Sequence, residues 1–150
     1  MVEEEMSVQS QKSISETKPV NVLKGATKIV ETRLISQTGQ PLRALIPRNT
    51  PFEVQLLLDL SLVKIPKGER LSYDTIIYMK KLGKSRRDVT GRKEGTLSAA
   101  RSAVIDVDNQ PLAPGDYRLE ALVALQPHSQ PKRLKHQITA FNEGLLLRVI

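Results

Sequence analysis

The residues of this 150-residue chain that could do chemistry are concentrated in one basic run. Lys80, Lys81, Lys84, Arg86, Arg87, Arg92 and Lys93 lie within a single stretch, with Asp88 and Glu94 the only acids among them. Cations so spaced could neutralise several phosphates, with an affinity that falls steeply in salt, or meet the acidic face of a protein. A second group, Lys132, Arg133 and Lys135, precedes the last apolar run. The candidate partner-binding set is Lys84, Arg86, Arg87, Arg92, Lys93, Lys132, Arg133 and Lys135. Residues 79–116 contain no Phe, Tyr or Trp on which a base could stack. Contact with nucleic acid would therefore be directed at the backbone and tolerant of sequence.

Other constellations fail on spacing. The segment LGKS (82–85) carries the Gly-Lys-Ser of a phosphate-binding loop, but the position five before Gly83 is Tyr78, inside an apolar run, and no helical pattern follows. The two histidines, His128 and His136, sit in a proline-interrupted segment without zinc-ligand spacing. No G-x-S-x-G elbow accompanies them. Asp106 and Asp108 share one face at period 2, whereas glycosidase carboxylates must face each other across a cleft. The absence of cysteine removes disulfides, Cys-based zinc sites and thiol nucleophiles together. The expectation is a non-enzyme with no catalytic residues, no bound metal and no cofactor.

The elements that must position the cations read as strands. Phe52, Val54, Leu56, Leu58, Leu60 and Leu62 fall on one face of PFEVQLLLDLSL, with Glu53, Gln55, Asp59 and Ser61 on the other; only Leu57 breaks the parity. Period 2 over that length is a half-buried strand. ATKIVETRLI (26–35) precedes it, and LSYDTIIYMKKL (71–82), rich in Tyr, Ile and Thr, follows it as a third strand. Residues 83–95, polar and punctuated by three glycines, read as a long hairpin-like loop with room for a short strand. TLSAARSAVIDVD (96–108) alternates towards its end, and its Ala-rich start is compatible with a helical turn. A corner at Pro111, Pro114 and Gly115 leads into a strand with Tyr117, Leu119, Ala121, Val123 and Leu125 on one parity, where Leu122 is an apolar exception on the other face. The final run, GLLLRVI, is expected to pair as an edge strand.

Regularly spaced strands, intervening turn signals and no crossover-helix pattern give the fold class: all-β, an antiparallel sandwich over residues 23–150. The first 22 residues, rich in Ser, Gln, Glu and Lys, are read as a disordered tail. The tail holds four Glu and two Lys, a net of −2, so the total of +7 leaves +9 on the remainder. Aromatic residues make up 3%, so the core must be built from Leu, Val, Ile and Ala. No apolar run approaches the ~18 residues of a membrane helix, and the acidic start lacks the positive region of a secretory signal; a cytoplasmic location is expected.

The stretch LAPGDYRLEALVAL (112–125), with Tyr117 just past a Pro-Gly-Asp corner and one further strand downstream, resembles strand F of bacterial immunoglobulin-like or fibronectin III-like sandwiches. There the tyrosine hydroxyl bonds back to the chain a few residues upstream. The succession KIVETRLISQTGQPLRALIPRNTPFEVQLLLDL, then VDNQPLAPGDYRLEALVAL, is also similar to the C-terminal carbohydrate-binding sandwiches of polysaccharide exporter ATPases. That resemblance implies recognition of a glycan. No binding residue can be mapped from it, and the ATPase half has no counterpart here.

Three partners follow, all non-catalytic. The first expectation is a binding or assembly module that meets an acidic protein surface through the basic loop. A carbohydrate-binding module is the alternative, with a shallow site on a sheet face or loop end built on Tyr73 or Tyr78 and polar neighbours. Sequence-tolerant binding of a nucleic-acid backbone is the third. The sandwich would supply rigidity in each case, and loops the contacts.

Overall fold

The computed structural model describes residues 23–129 and 138–150. The tail residues 1–22 and the second basic group lie outside the described residues. Among the latter every regular element is a strand: β1 (Lys24–Gly25), β2 (Lys28–Ser36), β3 (Pro41–Leu42), β4 (Leu45–Ile46), β5 (Phe52–Asp59), β6 (Val63–Lys64), β7 (Leu71–Lys81), β8 (Arg87–Leu97), β9 (Ser102–Asn109), β10 (Gly115–Pro127) and β11 (Ile138–Val149). A four-stranded sheet in the order β9-β5-β2-β3 packs on a five-stranded sheet in the order β4-β11-β10-β7-β8, and β1 pairs with β6 alone. All pairings are antiparallel except β11 with β4. This is the all-β sandwich that the alternation predicts, of the immunoglobulin-like kind that the resemblance of residues 112–125 implies.

Strand β5 shows why. Phe52, Val54, Leu56 and Leu58 are at most 1% exposed, and the intervening side chains are only half-buried. Burial of each such side chain stabilises the fold by about 2 kcal/mol relative to leaving it in water. The alternation was expected to run on to Leu62, but the strand ends at Asp59, where the carboxylate accepts bonds from the Ser61 amide (2.9 Å) and hydroxyl (2.6 Å). Leu62 is thereby turned outward and left 68% exposed. Gly25, at φ +101°, lies so close to the Leu62 carbonyl that no Cβ fits between them.

The corner ahead of β10 is the expected tyrosine corner: the Tyr117 hydroxyl donates to the Ala113 carbonyl at 2.7 Å. Beyond it, Leu119, Ala121, Val123 and Leu125 are completely buried between the sheets. Leu57 and Leu122, the two parity exceptions, are half-buried on the outer faces.

Two expectations are corrected. The last strand, β11, is not the outermost of its sheet, because Leu45–Ile46 adds alongside it in parallel and the Arg148 amide donates to the Ala44 carbonyl (2.8 Å). Short strands of two residues carry no periodicity, so this cap was invisible in the sequence. The hairpin-like loop 83–95 is mostly strand: β8 pairs with β7 from Arg87↔Lys80 to Leu97↔Leu71, with a register shift opposite Ile77/Tyr78. Its inward positions are Gly91, Lys93, Gly95 and Leu97. Glycines replace the apolar residues a strand normally shows, and an edge strand tolerates the charges. An added Cβ on Gly91 would lie 2.7 Å from the Asp108 carbonyl, so that glycine lets the two sheets close at this side.

Candidate functional site

Antiparallel pairing of β8, β7 and β10 gives the five-stranded sheet two chemically different ends. At one lie Ser72 and Asp74 of β7, Glu94 and Thr96 of β8, and the turn after β10. The other holds Lys80, Lys81, Arg87 and the tyrosine corner.

The first end carries a cleft of about 390 Å³, lined by Ser72, Tyr73, Asp74, Glu94, Thr96 and His128 among others. Its volume lies within the range of small-ligand sites, about 300–1,000 Å³. Gly95 shapes the wall: Tyr73 packs so closely over it that an added Cβ would sit 2.7 Å from the phenolic oxygen. The turn that closes the end is tied down, with Ser129 donating to Glu69 through its amide (3.1 Å) and hydroxyl (2.6 Å). His128 Nδ1 is 2.9 Å from Ser72 Oγ, so this histidine joins the wall of the cleft.

Asp74 and Glu94 stand directly opposite each other across β7 and β8. Like charges in that relation destabilise a sheet. Arg92 offsets them partially, its Nε lying 3.9 Å from Asp74 Oδ1, too far for a hydrogen bond. Asp74 Oδ1 is buried and accepts no hydrogen bond from any described group. A buried acceptor left so costs about 1–3 kcal/mol.

The candidate cations are distributed differently from the expectation of one loop. Arg87 lies in β8: it donates to Glu120 at 2.7 Å and lies 4.3 Å over the Tyr78 ring. The Glu120 side chain is 7% exposed, so Arg87 serves as the counter-charge of a buried carboxylate. One face of the half-buried Tyr78 ring is thereby occupied by a cation of the fold. Arg92 sits beside Asp74 at the other end of the sheet. Lys93 points inward at the edge and donates to the Asp106 carbonyl of the opposite sheet at 2.9 Å, bridging the two layers. Lys84 and Arg86 remain at the turn between β7 and β8, Arg86 being 3.2 Å from Asp88 and 87% exposed. Lys132, Arg133 and Lys135 fall outside the described residues, as does His136.

Lys84 and Arg86 line a second cleft, of about 270 Å³, together with Lys81, Asp88, Met79 and Tyr117. Burial pushes the Tyr117 phenol above its usual pKa, and the Asp88 charge adds to this.

The sequence signals for the first cleft are weak. Asp74 and Ser72 are simply the polar parity of an alternating run, and Glu94 comes opposite Asp74 only once residues 83–95 are a paired strand. Among the described residues no cluster of three or more His, Asp or Glu is placed to hold a metal ion. No helix there is long and apolar enough to cross a membrane.

No protein-family model and no curated protein matches the chain. Solved structures share its fold. The C-terminal domain of wzt superposes with a TM-score of 0.59 at 14% identity, covering 89% of this chain and 80% of that one. The CARDB domain of a Pyrococcus furiosus protein gives 0.43 at 13% identity over 89% of this chain and 97% of its own. A PapD-like domain of human CEP192 gives 0.39 at 14% identity over 97% and 96%. The first of these is the sandwich of the narrower resemblance in strand order; the likeness is one of fold.

Proposed function

We propose that the protein is a non-catalytic, cytoplasmic carbohydrate-binding module whose ligand lies in the cleft of Tyr73, Asp74, Glu94 and His128. One observation carries this reading: Asp74 lines that cleft, and its buried Oδ1 has no donor among the described residues. A ligand rich in hydroxyl groups supplies donors to the carboxylate of Asp74, whose side chain is 24% exposed, and a carboxylate is the stronger kind of acceptor for such a bond. Ser72 and Thr96 offer groups that both donate and accept. The resemblance in strand order and the fold likeness to the wzt domain support the same class. Ser72–Asp74 and Glu94–Thr96 of the lining are held in paired strands, and His128 in the turn after β10 is held by Ser72.

The test is a glycan array, followed by titration of any bound glycan against Asp74→Ala and the native chain. Binding that falls at least tenfold in the variant, at an unchanged or raised melting temperature, supports the reading. A native chain that retains no glycan, or a variant that binds as well, overturns it.

A second reading, contact with an acidic protein through the basic end, is favoured by Lys84 and Arg86, exposed together beside Lys81. Its probe is the pair Lys84→Glu/Arg86→Glu, since reversing Arg87 would set two carboxylates against each other at buried Glu120. A nuclease-resistant partner lost from that pair supports it. Retention only in the absence of nuclease moves the same cations to a nucleic-acid backbone.

A further inference from the structure

The cleft at the basic end is small, positively charged and built by the backbone. Strand β7 ends in a tight turn in which the Lys84 amide donates to the Lys81 carbonyl at 3.0 Å, with Gly83 in the left-handed region at φ +85°. The Leu82 amide donates to the Asp116 carbonyl at 2.9 Å, tying this turn to the chain just after the Pro114 corner. The Lys81 stem lies across Gly115: a Cβ there would come within 2.8 Å of Lys81 Cε and 3.4 Å of Nζ. Gly115 has φ +151°, a conformation other residues rarely adopt, so the seat for the lysine is set by the backbone. The corner itself is held by the Tyr117 hydroxyl bond to Ala113.

Three cations, Lys81, Lys84 and Arg86, therefore line a cleft of about 270 Å³ that contains one carboxylate, Asp88. Three charges against one leave a surplus of two. Asp88 is engaged with Arg86 at 3.2 Å. Tyr117 and Met79 form an apolar floor, both buried, which lowers the dielectric beneath the cations and strengthens their field. Like charges brought together by a tethered turn repel, and a bound dianion relieves that repulsion. Arg87 and Lys93 differ, because each already donates a hydrogen bond to an acceptor of the fold, and Arg92 lies beside Asp74 at the other end of the sheet.

From this juxtaposition we infer that the turn between β7 and β8 and the tyrosine corner together form an anion site for a phosphoryl group, held by Lys81, Lys84 and Arg86. Arg86 presents a planar fork that can take two phosphate oxygens, and the lysines act as point charges. The site stands on its own geometry and is independent of a glycan in the first cleft, which lies at the opposite end of β7. The cleft is large enough for phosphate or a small ester.

The experiment follows backbone amide shifts of the whole chain while inorganic phosphate is added at constant ionic strength, with acetate and sulfate beside it. Saturable shifts centred on residues 81–86 and 115–117 are expected with phosphate and sulfate, at least tenfold weaker with acetate. Lys84→Gln/Arg86→Gln should weaken phosphate binding at least tenfold without a change in melting temperature. Methyl phosphate distinguishes the source: binding comparable to inorganic phosphate means that the group is read on an organic carrier, and its exclusion means that the free ion is bound. Either outcome supports the site. Shifts that do not saturate, that scatter over every surface lysine, or that persist in the double variant overturn it.

Discussion

The two ends of strand β7 differ by ten residues and by the sign of what they lack. At the Ser72–Asp74 end a carboxylate oxygen is buried without a donor among the described residues, beside a second carboxylate on the neighbouring strand. At the Lys81 end three cations crowd a cleft with a single acid. Between them the same sheet satisfies itself: Arg87 caps Glu120 and Tyr78, and Lys93 bridges to the other layer. The comparison teaches that charge counting along the chain does not tell which cations the fold itself pairs. Of the five candidate cations described, Arg87 and Lys93 bond to groups of the fold, Arg86 and Arg92 lie 3.2 Å and 3.9 Å from carboxylates, and Lys84 is exposed at the turn.

The largest effect that would break this comparison comes from strand β10, which pairs with β7 from one end to the other. Leu119→Ala, at a position with no exposure, should cost about 3 kcal/mol and lower the melting temperature by roughly 9 °C. Both clefts should nevertheless keep their ligands below the transition, since neither is lined by Leu119. Next comes the division between spent and available cations. Arg87→Ala strands the buried Glu120 carboxylate and should cost about 2 kcal/mol, discounted because Arg87 is half-exposed, whereas Lys84→Ala should change stability by less than about 0.5 kcal/mol. Equal denaturation midpoints for the two would erase the distinction. Tyr117→Phe removes the 2.7 Å bond at the corner and should cost about 1 kcal/mol. It should also loosen the basic end alone, weakening phosphate there and leaving a glycan at the first cleft untouched.

The smallest effect is acid sensitivity. The Ser61 hydroxyl, and then its amide, hold the Asp59 carboxyl below its usual pKa of 3.8. The hydrogen bond from Arg148 does the same for Asp116, with the charge of Arg148 adding to it. In both cases the folded state binds fewer protons than the unfolded one near pH 3.8, so this stabilisation is present above that pH and lost as pH falls below it. Both groups are exposed, and a shallow decline in melting temperature between pH 4 and pH 2.5 is expected, shallower still in Ser61→Ala. A steep collapse above pH 5 would mean that another carboxylate controls acid unfolding.

Much of the scaffold was legible because period-2 alternation is a direct consequence of strand geometry. The runs at 52–59, 71–81 and 117–125 each had a buried parity of Cβ-bearing apolar residues, and Tyr117 after a Pro-Gly corner marked the strand it pins. Strand β8 was not legible for the complementary reason. Its inward face is Gly91, Lys93 and Gly95, where close approach of backbone and of Tyr73 takes the place of a side chain. A glycine chosen for what it lets in has no hydrophobic signature. The candidate clefts followed the same rule. The basic group was visible as composition, but Asp74 became distinctive only with Glu94 set opposite it and no hydrogen-bond donor to its Oδ1 among the described residues.

The sequence by itself determined which segments alternate, hence the all-β class, the residues that form the core and the tyrosine corner, because these depend on interactions within one strand or across a few residues. Only the tertiary structure decided which charges are spent and which are left over. That outcome depends on register between strands distant in the chain, and a shift of one residue would turn Asp74, Arg87 and Lys93 to opposite faces.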